Sequence, residues 1–405
     1  MRKLKGLLSV TLAAAMVAGL AGCGSSGGSS SASDGAVDSA SASSVSGSSG
    51  ETAGEGGSFT IGYNNYRVGS YSLDILQKNF EYACEAMGVD TMVVNDEGKI
   101  DNCPTNVDNM ISSGVDAIAF FGLNDNVMLS VAQRCEQAGV YFAFYDHMPS
   151  EELRETIADY EYYAGCAATS DITTGNAAGE YAASTGAKKA IIVTGEESDP
   201  SHNARVQGFT ETFEAAGGEV LGVGWGSPAL ADALSRANDL LTANPDTDFI
   251  YGSSGDCGVA AKEALASHPD VQAEVFATDL DPDVLTGLED GSIGAANGAH
   301  WINVYFAASL LVNALNGNEL TAEDGSAPCL VVPVMNLPSS YTDLYNKLWI
   351  EEFPFSEEEL AALVGSDVVL DDLQEVLDNY TIENRLAAMV EQGRVTQEEV
   401  DAAAE

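Results

Sequence analysis

DAIAFFGLNDNVMLSVAQRCEQAGVYFAFYDH, residues 116–147, reads as strand, helix and strand in succession. The apolar runs 116–121 and 140–145 are too short for helices and long enough for buried strands. The amphipathic stretch 125–138 between them has helical length. Gly139 stands directly after that helix, where a left-handed cap is expected. Two buried strands joined through a helix imply a parallel pair.

The same alternation extends outward. Upstream lie strands 59–63 and 89–94, with a helix over 73–87 closed by Gly88. Downstream a second series begins, with strands at 189–194, 219–224, 248–251 and 274–278. Two series of strands predict an α/β fold of two similar lobes, each a parallel sheet flanked by helices. An amphipathic helix over 301–316 and a late strand over 328–334 follow. Residues 341–405 are acidic and helix-favouring (356–363, 369–378, 381–392 and 396–404), a helical appendage whose last part is expected to be a loose tail. The expected boundaries are 59–169 with 301–330 for the N-terminal lobe, 170–300 with 331–345 for the C-terminal lobe, and 346–405 for the acidic helical extension. Three crossovers, near 166–172, 297–301 and 328–332, are expected to form a hinge.

The 405 residues exceed one average domain and suit two, and 45% hydrophobic content supplies a large core. Acidic residues outnumber basic ones 62 to 16, a formal charge of −46. Phosphate backbones and anionic membrane surfaces would be repelled, so nucleic acid is excluded as a partner.

Residues 1–22 read as a secretory signal. Arg2, Lys3 and Lys5 precede an apolar run from Leu7 to Leu20, too short for a stable membrane span. Leu20-Ala21-Gly22-Cys23 resembles the bacterial lipobox, which implies that Cys23 becomes a lipidated N-terminus. Residues 23–58 then form a Ser/Gly-rich tether with a mean reach of roughly 30–35 Å. The expected location is extracytoplasmic, with lipid attachment to the membrane. Apart from Cys23, six cysteines remain, with no Cys-x-x-Cys pair and no metal-ligand spacing. Cys84 and Cys135 read as small buried hydrophobes. No cofactor and no metal is expected.

In open parallel sheets, ligands bind beyond the carboxyl ends of the strands. The positions there are polar and aromatic: Asn64, Asn65 and Tyr66, with Tyr71 nearby, then Asp146 and His147, then Arg205. Trp225, Ser254, Asp256, Asp279 and His300 follow. Carboxylates accept from adjacent hydroxyls, an arginine donates, and flat rings pack on apolar C–H faces, a combination suited to a polyhydroxyl ligand.

Five segments carry a family resemblance: Phe144-Tyr145-Asp146, residues 205–209 (RVQGF), residues 240–246 (LLTANPD), Ala277-Thr278-Asp279 and residues 289–293 (EDGSI). In order and spacing the chain resembles, from about Phe59 to Leu337, the type I periplasmic-binding-protein family, the ribose/galactose-type solute receptors of ABC importers. The resemblance implies that Asp146, Arg205 and Asp279 reach the ligand, that His147 and His300 hold neighbouring polar positions, and that Trp225 stacks on it. At 253–256, where the family usually has Asn-Asp, this chain has Ser253-Ser254-Gly255-Asp256. After the first strand it has Asn64-Asn65-Tyr66 where the resemblance implies a Pro-Phe or Phe-Phe pair.

The function so implied is capture of a sugar, expected to be a monosaccharide, between two lobes of a monomer and delivery to an ABC-type permease. A receptor for a nucleoside, an inositol or a signalling compound feeding a sensor is the alternative. A glycoside hydrolase using Asp146 and Asp279 ranks below both, since no nucleophile elbow, phosphate loop or metal motif accompanies the two acids. A DNA-binding regulator built on the same lobes is opposed by the charge and by the lipobox at the N-terminus.

Overall fold

The computed structural model describes residues 58–404. The signal peptide, Cys23 and the tether expected from the sequence lie outside the described residues, apart from the tether's last residue, Ser58.

The chain lays down β1 (Thr60–Asn65), α1 (Tyr71–Ala86), β2 (Asp90–Asn95), α2 (Asn102–Ser112), β3 (Ala117–Phe121), α3 (Asp125–Ala138), β4 (Tyr141–His147), α4 (Glu151–Ile157) and β5 (Tyr163–Thr169). It then crosses over and repeats the pattern. The second series is α5 (Asp171–Thr185), β6 (Lys189–Val193), α6 (Pro200–Ala215), β7 (Glu219–Gly224), α7 (Leu230–Ala243), β8 (Phe249–Gly252), α8 (Gly255–Ala266), β9 (Glu274–Thr278), α9 (Pro282–Glu289) and β10 (Ala295–Gly298). After α10 (Asn303–Leu315), strands β11 (Cys329–Val332) and β12 (Met335–Pro338) complete the sheets.

The two sheets are β11-β5-β4-β3-β1-β2 and β12-β10-β9-β8-β6-β7, the same order twice over. All pairs are parallel except β10 with β12. The central strands β3, β4, β6, β8 and β9 bury apolar residues on both faces, as parallel strands between helix layers must. Gly88 and Gly139 adopt left-handed backbone conformations, φ 76° and 69°, just beyond their helices.

Three differences from the sequence reading have physical causes. Residues 328–334 do not form one strand, because Pro333 cannot donate to a ladder. The chain splits there into β11 in the first sheet and β12 in the second. Strands β5 (YAGCAAT) and β10 (AANG) escaped the periodicity because they are built of small residues. A side chain at Gly165 would overlap the carbonyl of Pro328, so β11 can pair there only with a glycine.

The third difference is the C-terminal tail, which is packed rather than loose. Its helices are α11 (Thr342–Tyr345), α12 (Glu357–Ala361), α13 (Leu370–Asp378), α14 (Ile382–Glu391) and α15 (Gln397–Ala404). Leu360, Leu373, Leu386 and Met389 are fully buried, and Val400 and Ala403 pack against the same cluster. The extension grips both lobes. Tyr82 of α1 donates to the Phe355 carbonyl at 3.2 Å, and Asn346 donates to Glu289 of α9 at 3.0 Å. Between these, the Tyr380 hydroxyl donates to the Ala299 carbonyl at 2.8 Å, in the crossover from β10 to α10. Lys, Asp and Glu of an acidic amphipathic stretch say nothing about where its apolar stripe docks, so this arrangement had no local signal.

Candidate functional site

A cavity of about 800 Å³ opens between the lobes, at the carboxyl ends of β4, β5 and β9. Asp146, His147, Arg205, Asp279 and His300 all line it.

Asp146, next to last in β4, has a left-handed backbone, φ 75°, and Asp279 follows β9 with φ 76°. Ala299, next to His300, is at φ 59°. Among the described residues only Glu97 is a further non-glycine residue with positive φ. Such conformations cost about 1–3 kcal/mol each and persist where surrounding structure imposes them. Three of the four therefore sit at the cleft or at a crossover between the lobes.

Asp146 accepts from Asn303 Nδ2 at 3.0 Å and lies 3.0 Å from His147 Nδ1 and 3.9 Å from His300 Nε2. Burial opposes its ionisation. The His147 hydrogen bond and charge, with help from His300 and Asn303, outweigh that and hold the carboxyl at about 2. Burial likewise opposes a charged His147, but Asp146 overrides it and raises the imidazole above its ordinary value. Nδ1 of His300 and the Thr169 hydroxyl, both in the lining, are buried without a protein partner.

Arg205 projects from α6 and reaches across to the first turn of α5. Its Nε donates to Asp171 at 2.8 Å, its Nη1 to the Ser253 carbonyl at 2.9 Å, and Asp279 stands 3.9 Å away. Burial alone would disfavour the guanidinium charge, but Asp279 and Asp171 more than compensate. The reach is short because α5 and α6 touch at glycines: a methyl group at Gly175 would overlap the Arg205 carbonyl, and one at Gly208 the Ile172 carbonyl.

Seven residues expected at the site do not line this cavity. Asn64 and Asn65 are buried and spend their amides internally. Asn64 donates to Asp96 at 2.7 Å and accepts from Phe121 N at 2.7 Å. Asn65 donates to Gln77 at 2.9 Å and accepts from Arg67 N at 2.9 Å. Tyr66 donates to the Gly98 carbonyl at 3.0 Å and lies parallel to Phe121. Tyr71 opens α1 and meets Trp301 edge-on at 5.8 Å. Trp225 packs on the second lobe's Phe209–Phe213 cluster. Ser254 caps the N-terminal end of α8 with its hydroxyl buried and unpartnered, and Asp256 is exposed in that helix's first turn. Among the described residues no Phe, Tyr or Trp lines the cavity; its aromatic rings are those of His147 and His300.

The structure adds Asn124, Asp125, Ser150, Arg154, Asp171 and Ser201 to the lining. Asp171 lies two residues past β5, so recognising that strand would have found it. Arg154 projects from the short helix α4, which carried no such signal.

The model for the periplasmic binding protein domain matches residues 61–319. No curated protein sequence matches the chain. Solved structures share the fold. An arabinose-binding protein from Geobacillus stearothermophilus is 17% identical, over 71% of this chain and 99% of that one, with a TM-score of 0.62. A solute-binding protein of an ABC transporter from Actinobacillus succinogenes 130z, solved with D-allose, is 17% identical over 71% and 100%, with a TM-score of 0.58. One from Bacillus halodurans C-125, solved with myo-inositol, is 16% identical over 72% and 99%, with a TM-score of 0.55.

Two like-ordered sheets around one polar cleft define a two-lobed binding fold. The chain belongs to the type I periplasmic binding protein family, and it is a binding protein rather than an enzyme. No described helix is long and apolar enough to cross a membrane.

Proposed function

We propose that this protein captures a sugar in the cleft between its lobes and delivers it to an ABC-type permease. One observation carries the reading: Asp146 and Asp279, one from each sheet, are held in strained left-handed conformations around a single cavity that also holds Arg205. Carboxylates are bidentate acceptors for vicinal hydroxyls, and a guanidinium supplies the matching donors. The solved arabinose-binding protein and the solute-binding proteins solved with D-allose and myo-inositol support the same ligand chemistry. A cavity without a Phe, Tyr or Trp platform favours a small monosaccharide or a cyclitol over a longer saccharide.

Ligand binding here rests on Asp146, His147, Arg205, Asp279 and His300, with closure about the crossovers bringing the two halves together. The lipobox-like Leu20-Ala21-Gly22-Cys23 supports tethering through a lipidated Cys23, with the body acting as a monomer. A thermal-shift screen of the mature protein against pentoses, hexoses, inositols and nucleosides tests the reading. One sugar or cyclitol at about 100 times its dissociation constant should add about 2.7 kcal/mol of apparent stability. A nucleoside hit with no sugar hit would replace the reading.

A further inference from the structure

Two free thiols stand side by side on the hinge strands of the first sheet. Cys166 in β5 and Cys329 in β11 are direct register partners in a parallel pair. They share one face of the sheet, because Sδ of Met148 lies 3.9 Å from the Cys166 sulfur and 2.9 Å from the Cys329 sulfur. Adjacent strands about 4.8 Å apart place such Cα atoms within the roughly 4.4–6.8 Å that a disulfide spans.

The two thiols differ in access. Cys166 is fully buried. Cys329 is partly exposed and lines both the interlobe cavity and a neighbouring one of about 460 Å³, with Arg154 in both linings. Cys329 is thus an approachable thiol beside a cation, with a second thiol behind it, the arrangement of an attacking and a resolving cysteine. A hydrogen bond from Cys166 favours its thiolate, burial opposes it, and Arg154 adds to the favourable side, so its pKa falls below the ordinary value. Burial raises that of Cys166.

The position is also mechanical. Beyond Thr169, β5 leads into α5 of the second lobe, and beyond Val332, β11 leads into β12 of the second sheet. Two of the three lobe-to-lobe connections therefore leave from the strands that carry these thiols.

We propose that Cys166 and Cys329 form an exchange-active dithiol that closes to a disulfide across β5 and β11 when it meets a low-molecular-weight disulfide. The Cys329 thiolate attacks one sulfur of the small disulfide; that S–S bond breaks and one thiolate leaves, taking the proton given up by Cys166. The Cys166 thiolate then attacks the Cys329 sulfur, and the second small thiolate departs and is protonated by solvent. Two cysteines are oxidised and one small disulfide is reduced to two thiols. The closed bridge stiffens the two paired strands from which two of the three lobe crossovers leave, so ligand affinity is expected to fall; this consequence alone rests on the cleft being the ligand site.

The test is peptide mapping by mass spectrometry, without reduction, of the intact protein incubated with oxidised glutathione. The expected product is a single Cys166–Cys329 cross-linked peptide, reversed by dithiothreitol. Cys166→Ser should trap a glutathione adduct at Cys329, and Cys329→Ser should yield neither adduct nor cross-link. Both thiols labelled by iodoacetamide once the glutathione-treated protein is unfolded, or an adduct on Cys166 in the Cys329→Ser variant, overturns the proposal. So does tight capture of one silver(I) ion by the sulfur trio with no cross-link, which would make it a soft-metal site. The mapping uses no sugar, so a failed sugar screen and a failed cross-link are separate results.

Discussion

Asp146 and Asp279 occupy equivalent places in the two sheets: each stands at the carboxyl end of the third strand from its sheet's crossover edge, at φ 75° and 76°. The Asp279 amide donates to the Asn297 carbonyl at 2.8 Å, tying it to the neighbouring strand, and Asp146 pairs in register with Ala168 in the same sense. The two lobes thus present the same carboxylate from the same strained corner, toward one cleft. What differs is the partner: histidines for Asp146, an arginine for Asp279.

That difference sets a pH dependence. Asp146 titrates at about 2 in the folded protein against about 3.9 unfolded, so its contribution is present above pH ~4 and lost as the pH falls towards 2. His147 titrates above its unfolded value of about 6.5, so its contribution is full below pH ~6.5 and lost as the pH rises through the folded value. Asp171 reinforces the imidazolium and Arg205 opposes it. Melting curves of wild type and His147→Gln should therefore differ most near pH 5–6 and draw together as the pH rises through the folded imidazole's raised value. A difference that does not vary with pH would show that the pair is not a titrating unit.

The glycine contact between α5 and α6 sets the reach of Arg205. Gly208→Ala should lower stability by about 1–3 kcal/mol through overpacking and weaken ligand binding by moving Arg205 away from Asp171. Denaturant melts with calorimetric titration check both. A variant as stable and as tight as wild type would mean that the helices separate without consequence.

The extension is expected to be integral to the receptor. Arg385 is buried, donates to Glu359 at 2.8 Å and to the Pro354 carbonyl at 3.1 Å, and lies 3.9 Å over the Phe355 ring. Arg385→Ala should cost about 3 kcal/mol. Tyr380→Phe, which frees the Ala299 carbonyl, should cost about 1–2 kcal/mol and alter ligand affinity through the hinge. Urea melts of the two variants measure these losses. Unchanged midpoints would mark the extension as an appendage.

At the N-terminus, the lipobox reading predicts that cells expressing the precursor incorporate labelled palmitate into it and that Cys23→Ala abolishes the label. Equal labelling of both would exclude acylation at Cys23.

Much of the fold was readable because strands buried on both faces are runs of apolar residues, as in AIAFF and KAIIV. β5 and β10 were not, because strands bordering a close crossover are made of alanine and glycine, whose periodicity is weak. At the site, Asp146 and Asp279 were named from their places at strand ends, and both line the cavity. Asn64 and Asn65 sit at an equally suggestive strand end, but their amides satisfy Asp96, Gln77 and backbone groups far away in sequence. Tertiary hydrogen bonding of that kind leaves no trace in local pattern.

Isothermal titration calorimetry of the mature body with a panel of pentoses, hexoses and inositols, repeated on Asp279→Asn, tests the central claim most directly. The account predicts saturable one-to-one binding of at least one of these compounds, weakened by about 100-fold or more in the variant, where a charge-assisted acceptor for hydroxyls is lost. Wild-type affinity in Asp279→Asn, or no heat with any member of the panel, would contradict it.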